Sequence, residues 1–128
     1  MKKWNLALTY EPKIKSVLSK RCKQTLRIGS KFQVGDLVSF HGWEGKPYRS
    51  KWSFRTPYFE LIEVLDGQIY PWGLCLESDC EYPWDHPMAD EIAKLDGIVP
   101  ATGIELGNVL NRLNKIPDSG ARMQIIRW

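Results

Sequence analysis

Apolar and polar positions alternate in short runs along most of this chain and fall into helical spacing in three places. Residues 4–9 are rich in apolar side chains and read as a first strand. Pro12 suits the first turn of a helix, with Glu11 favourable at its positive end. Ile14, Val17 and Leu18, at i, i+3 and i+4, would form its apolar face and leave its lysines outward. Gln24–Ile28 returns as a strand closed by Gly29, and a Gly35-Asp36 turn leads into a strand over 37–40. Residues 58–65 read as one strand, with a strong turn signal at Asp66-Gly67 and a short partner over 68–70. Leu74-Cys75-Leu76 continues the sheet, and 77–85 reads as an acidic surface loop.

The last third changes period. Pro87 opens a helix whose stripe is Met88, Ile92, Ala93 and Leu95, and Asp96-Gly97 ends it. Ile98-Val99-Pro100 is extended, because a residue before proline avoids the helical region. Thr102 with Glu105 forms a capping box for a helix over about Gly103 to Leu113, with Leu106, Val109, Leu110 and Leu113 inward. A turn over 117–120 and a strand over 123–128 close the chain. Strands outnumber helices and cluster centrally, so the pattern predicts one α+β domain over residues 1–128, with a mostly antiparallel, curled sheet.

Composition narrows the class. The chain has 128 residues, enough for a core without disulfides or metals. No apolar run approaches the ~18 residues of a membrane span. Three cysteines without framework spacing favour a reducing cytoplasm. The net charge of +3 hides a polarity: residues 1–57 carry 13 Lys/Arg against 3 Asp/Glu, and residues 58–105 carry 1 against 11. A basic face gathers anions such as nucleic acid, whereas blocks that neutralise one another across the fold would not.

Two stretches carry candidate chemistry. Residues 19–27 hold four cations, a thiol and two hydroxyls and no acid. Thr25 and Arg27, two apart on a strand, share a face. Residues 41–55 interleave Trp43, Tyr48, Trp52 and Phe54 with Lys46, Arg49, Lys51 and Arg55. That mixture suits a single-stranded nucleic acid, with rings for bases and charges for phosphates. The alternative is that the tryptophans plug the ends of a small barrel while the cations reach water. Cys75, Cys80 and His86 have a ligand-like look but lack a downstream partner pair, so no metal and no cofactor is expected.

Lys23-Gln24-Thr25-Leu26-Arg27, Val34-Gly35-Asp36, Ala93-Lys94-Leu95-Asp96-Gly97 and the closing Gln124-Ile125-Ile126 together resemble the ASCH domains of the PUA-like superfamily, in order and spacing across nearly the whole chain. The resemblance implies a small β-barrel with helices packed over its openings and a cleft floored by the threonine–arginine strand. It implies a ligand that is RNA or a modified nucleotide. Lys20, Lys23, Arg27, Arg49, Lys51 and Arg55 would then meet phosphates, and Trp43, Tyr48 or Trp52 would stack a base. One branch of the family is similar to small amidohydrolases that deacetylate acetylcytidine through a lysine, a threonine and a carboxylate. Thr25 matches the threonine and Asp96 the carboxylate. The lysine position, three residues before the threonine, is Cys22 here. Two readings of Thr25, Arg27 and Asp96 stay open at this point: a ligand or catalytic cluster, and an Arg27–Asp96 ion pair tying the sheet to a helix end.

Overall fold

The computed structural model describes residues 2–8, 10–43, 52–76 and 80–128, with side chains at all of these except Trp43, Trp52, Ser53 and Cys80. Within them the chain forms nine strands and three helices. One sheet is centred on β3 (Leu37–Trp43), which pairs in parallel with β1 (Lys3–Ala7) along one edge. Its other edge is shared in succession by β4 (Trp52–Arg55) and β5 (Phe59–Glu60), both antiparallel. Thr56 bridges the gap between those two partners. Its N–H donates to the Phe40 carbonyl, its hydroxyl accepts from Phe40 N–H, and its carbonyl accepts from the Ser39 hydroxyl.

The second sheet is antiparallel throughout, in the order β2 (Gln24–Ile28), β9 (Ala121–Arg127), β6 (Glu63–Tyr70), β7 (Gly73–Leu76) and β8 (Cys80–Pro83). Both faces of its centre are covered. Ile125 packs into a core with Ile69, Leu74, Ile92 and Leu106, while its neighbour Ile126 packs into a core with Leu6, Val17, Phe40 and Leu61. The run Met123-Gln124-Ile125-Ile126 is therefore buried on successive rather than alternate residues, as a strand covered on both faces requires. Helices α2 (Pro87–Leu95) and α3 (Gly103–Leu113) cover the first of these faces; α1 (Glu11–Leu18) and the β3 sheet cover the second. Among the described residues no helix is long and apolar enough to cross a membrane.

Several predicted elements stand where the pattern put them. Gln24–Ile28, α2 and α3 match in extent, and Thr102 accepts from Glu105 N–H at 3.2 Å as the capping signal implied, but Met88, Leu95 and Leu113 of the predicted apolar stripes are exposed. Others differ for physical reasons. The 58–65 strand is broken at Leu61-Ile62, where Leu61 N–H donates to Asp36 in one sheet and Ile62 N–H to Arg127 in the other. Asp66-Gly67 is not a turn but lies inside β6, opposite Gln124 and Met123. The Asp66 carboxylate accepts from Gln124 at 2.7 Å, and a Cβ on Gly67 would stand 2.5 Å from the Cys75 carbonyl oxygen. The chain reverses instead at Pro71-Trp72. The predicted acidic loop contains strand β8. Of the predicted long loop over 41–55, the described residues are strand: His41–Trp43 extends β3, and residues 52–55 form β4.

Candidate active site

The site begins with a helix turned by about one residue from its apparent stripe: Ile14 and Val17 pack inward as expected, but Lys13 joins them in place of Leu18. In α1 the buried side chains are Lys13 and Val17, one turn apart, while Leu18 stands half in solvent. The helix ends at Ser19, and Lys20 takes a left-handed conformation (φ 63°) that lets Arg21 and Cys22 N–H both return to the Ser16 carbonyl. This reversal lays β2 under α1. Lys13 Nζ then reaches Thr25 Oγ1 at 2.7 Å and donates to it.

The third member arrives from the end of α2. Asp96 is the residue capping that helix, and Gly97 beyond it takes a positive φ of 75° that turns the chain away. Asp96 Oδ2 accepts from Lys13 Nζ at 2.8 Å, and Oδ1 accepts from Gln24 Nε2 at 3.3 Å. All four side chains are buried. Buried charges are tolerated when they are paired and hydrogen-bonded, and here each Asp96 oxygen has a donor and Lys13 Nζ has two acceptors. The chain of contacts continues outward: Gln24 Oε1 accepts from Arg127 Nε at 2.8 Å, and Arg127 is ion-paired to Glu63. Gln24 is thus fixed with its amide nitrogen toward Asp96 and its oxygen toward Arg127.

Thr25, Lys13 and Asp96 line a cavity of about 340 Å³. Its floor is β2 through Leu26, Arg27 and Ile28, and its opposite wall is the apolar face of α3 with Leu106, Val109, Leu110 and Leu113. Ala7, Leu8 and Tyr10 close one side. The Tyr10 hydroxyl both accepts from Val99 N–H and donates to Val99 C=O, pinning the segment after α2 to the segment before α1.

Of the residues singled out from the sequence, Thr25 and Asp96 are brought together, with Lys13 between them. Arg27 lines the same cavity and donates to the Ala7 carbonyl at 2.9 Å, so the ion pair that Asp96 makes is with Lys13 and not with Arg27. Lys20 and Lys23 are exposed on the connection from α1 to β2. Arg55 is exposed on β4, against the Tyr58 ring and hydroxyl. Tyr48, Arg49 and Lys51 lie outside the described residues, as do the side chains of Trp43 and Trp52.

Cys22 is a packed thiol. Its Sγ donates toward the Gln24 carbonyl (3.3 Å) and the Leu95 carbonyl (3.5 Å), and it lies under Gly97. Burial pushes this thiol's pKa up. His86 is the N-cap of α2, its Nδ1 accepting from Met88 N–H, while Cys75 lies on β7. Among the described residues no three His, Cys, Asp or Glu side chains converge as metal ligands would.

Sequence reasoning missed Lys13 and Gln24. One signal pointed to Lys13: it stands four residues before Val17, on the same helical face. The chain matches no family model, no curated protein and no solved structure.

Proposed function

We propose that this protein hydrolyses an amide on a base-acylated nucleoside of the acetylcytidine type, with Thr25 as nucleophile and Lys13 as its proton partner. The observation that carries the reading is the short Lys13 Nζ–Thr25 Oγ1 contact inside a cavity, with Asp96 holding the same Nζ. A hydroxyl is a weak nucleophile unless a neighbouring base takes its proton, and a base is effective when a third group orients it. Lys13, Thr25 and Asp96 have that order. The motif's missing lysine is supplied from a different element, since an amine on α1 reaches the threonine that a side chain at residue 22 does not. The PUA-like reading, with the two sheets curled into a barrel and helices over its openings, goes with this proposal. It is supported by the strand bearing Thr25 and Arg27, which floors the cavity as the resemblance implies.

In the proposed cycle the Lys13 ammonium first passes one proton to the Asp96 carboxylate, which returns it at the end of the cycle; the amine so formed takes the Thr25 proton while Oγ1 bonds to the acyl carbon. The tetrahedral adduct collapses, the C–N bond breaks, and Lys13 returns the proton to the departing base nitrogen. Water then attacks the threonyl ester with Lys13 taking its proton, the acid leaves, and Thr25 recovers its hydrogen. The balance is amide plus water to carboxylic acid plus amine.

The test is turnover of N4-acetylcytidine. Wild type releases cytidine, and Thr25→Val, nearly isosteric, loses turnover by at least about 10²-fold, the low end of what a positioned proton-transfer partner contributes. Acetyl trapped on the Thr25 peptide after rapid quenching identifies the nucleophile. Equal rates in wild type and Thr25→Val would overturn the reading. A second reading, RNA binding without turnover, is favoured by exposed Lys20 and Lys23 beside the site-bearing strand. It requires affinity for short single-stranded RNA that falls with salt and falls again in Lys20→Glu/Lys23→Glu.

A further inference from the structure

We infer that the amide cleaved here carries an aliphatic acyl group longer than acetyl, its tail lying along α3 while the polar nucleoside stays on the Lys13 side. This deepens the proposed function and rests on it. β2 is the terminal strand of its sheet and, among the described residues, pairs only with β9. Residues directly opposite one another across a ladder share a face, so the partner places each β2 side chain. Thr25 stands opposite Ile126, which belongs to the core under α1 and the β3 sheet. Arg27 follows on that face and reaches the Ala7 carbonyl of β1. Leu26 and Ile28 stand opposite Ile125 and Met123, both in the core under α2 and α3. All four residues line the one cavity, which therefore wraps around the outer edge of β2 and has two unlike sides.

The first side is polar, with Thr25, Lys13, Asp96 and Arg27. On the second, Leu26 and Ile28 are joined by Ile98 and the α3 wall, aliphatic from Leu106 to Leu113 with Asn114 at the helix end. The chain after α2 passes from one side to the other between Asp96 and Ile98. An acylated cytidine is divided in the same way. Its sugar hydroxyls, base carbonyl and ring nitrogens need hydrogen-bond partners, and an aliphatic wall offers none, so burying them against it is costly. Its acyl chain is the part that gains by leaving water. Acetyl brings a single methyl to a wall made by Ile98 and four residues of α3, whereas a butyryl or hexanoyl chain extends along it. The scissile carbonyl is held at Thr25, where the two sides meet.

The experiment measures kcat/KM for cytidine release from the N4-acetyl, N4-butyryl and N4-hexanoyl compounds, with N4-adipoylcytidine as a chain of hexanoyl length ending in a carboxylate. Each buried methylene is worth about fourfold, so butyryl exceeds acetyl by about 15-fold and hexanoyl exceeds butyryl again, while adipoyl falls below hexanoyl. Intrinsic reactivity does not supply this order, since longer alkyl amides hydrolyse no faster than acetamides. Equal values across the alkyl series overturn the assignment. Adipoyl as the best substrate also overturns it, by putting the tail among the Lys13 and Arg27 cations. The tail is located with photoreactive N4-(4,4-azipentanoyl)cytidine bound to Thr25→Val. Irradiation labels Ile98 or α3, and label on Ala7, Leu8 or Tyr10 instead overturns the placement. If wild type turns over none of these compounds, the hydrolase reading falls by itself and calorimetric affinities for wild type decide the tail. A rise with alkyl length then supports the apolar side, and a flat series overturns it.

Discussion

Lys13 concentrates the energetics of the site in one side chain. It is buried, its ammonium nitrogen sits between a hydroxyl and a carboxylate, and its removal strands Asp96 as an unpaired buried charge. Lys13→Met is expected to cost about 3–5 kcal/mol in unfolding free energy, and Lys13→Met/Asp96→Leu much less, because an apolar pair restores the balance. Chemical denaturation of both variants checks this. Single-variant loss equal to that of the double would mean that the pair is not coupled. At Cys22 the raised pKa leaves little thiolate near neutral pH, and thiolate is the species that alkylates. Native protein treated with iodoacetamide should therefore carry label on half-buried Cys75 well before Cys22, with the difference erased in denaturant. These roles were half legible. Thr25 stood out by its place beside Arg27 on a strand, and Asp96 only through the resemblance of its motif, but Lys13 looked like any outward lysine on a short helix. A three-residue apolar stripe leaves the facing of a two-turn helix underdetermined.

At the scale of elements, β6 is instructive. Asp-Gly is a hairpin signal when nothing else uses those residues. Here Asp66 is used by Gln124, and Gly67 is where the Cys75 carbonyl comes too close for a side chain. Gly67→Ala is predicted to destabilise by about 1–3 kcal/mol through overpacking against main chain that cannot swing aside. Circular dichroism melts would show it, and a neutral result would return the glycine to a turn role. Helix α3 was easier to foresee because its information is local: a capping box and four apolar residues at helical spacing. Beside it, Gly107 leaves room for the Trp84 indole, whose Nε1 donates to the Pro71 carbonyl at 2.8 Å. That packing seats Trp84, between β8 and α2, against α3, and no local signal announced it.

For the molecule as a whole, acid stability is a further reading. Asp36 joins the start of β1 to the start of β3: it accepts from the Trp4 indole, from Lys2 N–H and from Gln33 N–H. The Trp4 bond foremost holds its carboxyl below the ordinary 3.8. A depressed folded-state pKa contributes stability that is present above the unfolded value and lost as pH falls through the folded one. His41 shifts the same way for a different reason. Burial first, then the Arg27 and Arg55 charges, lowers its pKa from 6.5, so its contribution is lost as pH falls below that value. Stability should decline in two stages on acidification, beginning below about pH 6.5 and steepening below about 4. Asp36→Asn should flatten the second stage alone, as melts across pH would report.

Most elements, their order, the mixed α+β class and the polarity of charge follow from the sequence by itself, because periodicity, caps and prolines act over a few residues. The pairing of Lys13 with Thr25 and Asp96 across 12 and 83 positions and the break of one predicted strand between two sheets were decided only in the tertiary structure. Each depends on which group is near which after the chain has folded. Burial then gathers an ordinary lysine, threonine and aspartate into the cluster on which the proposed function rests.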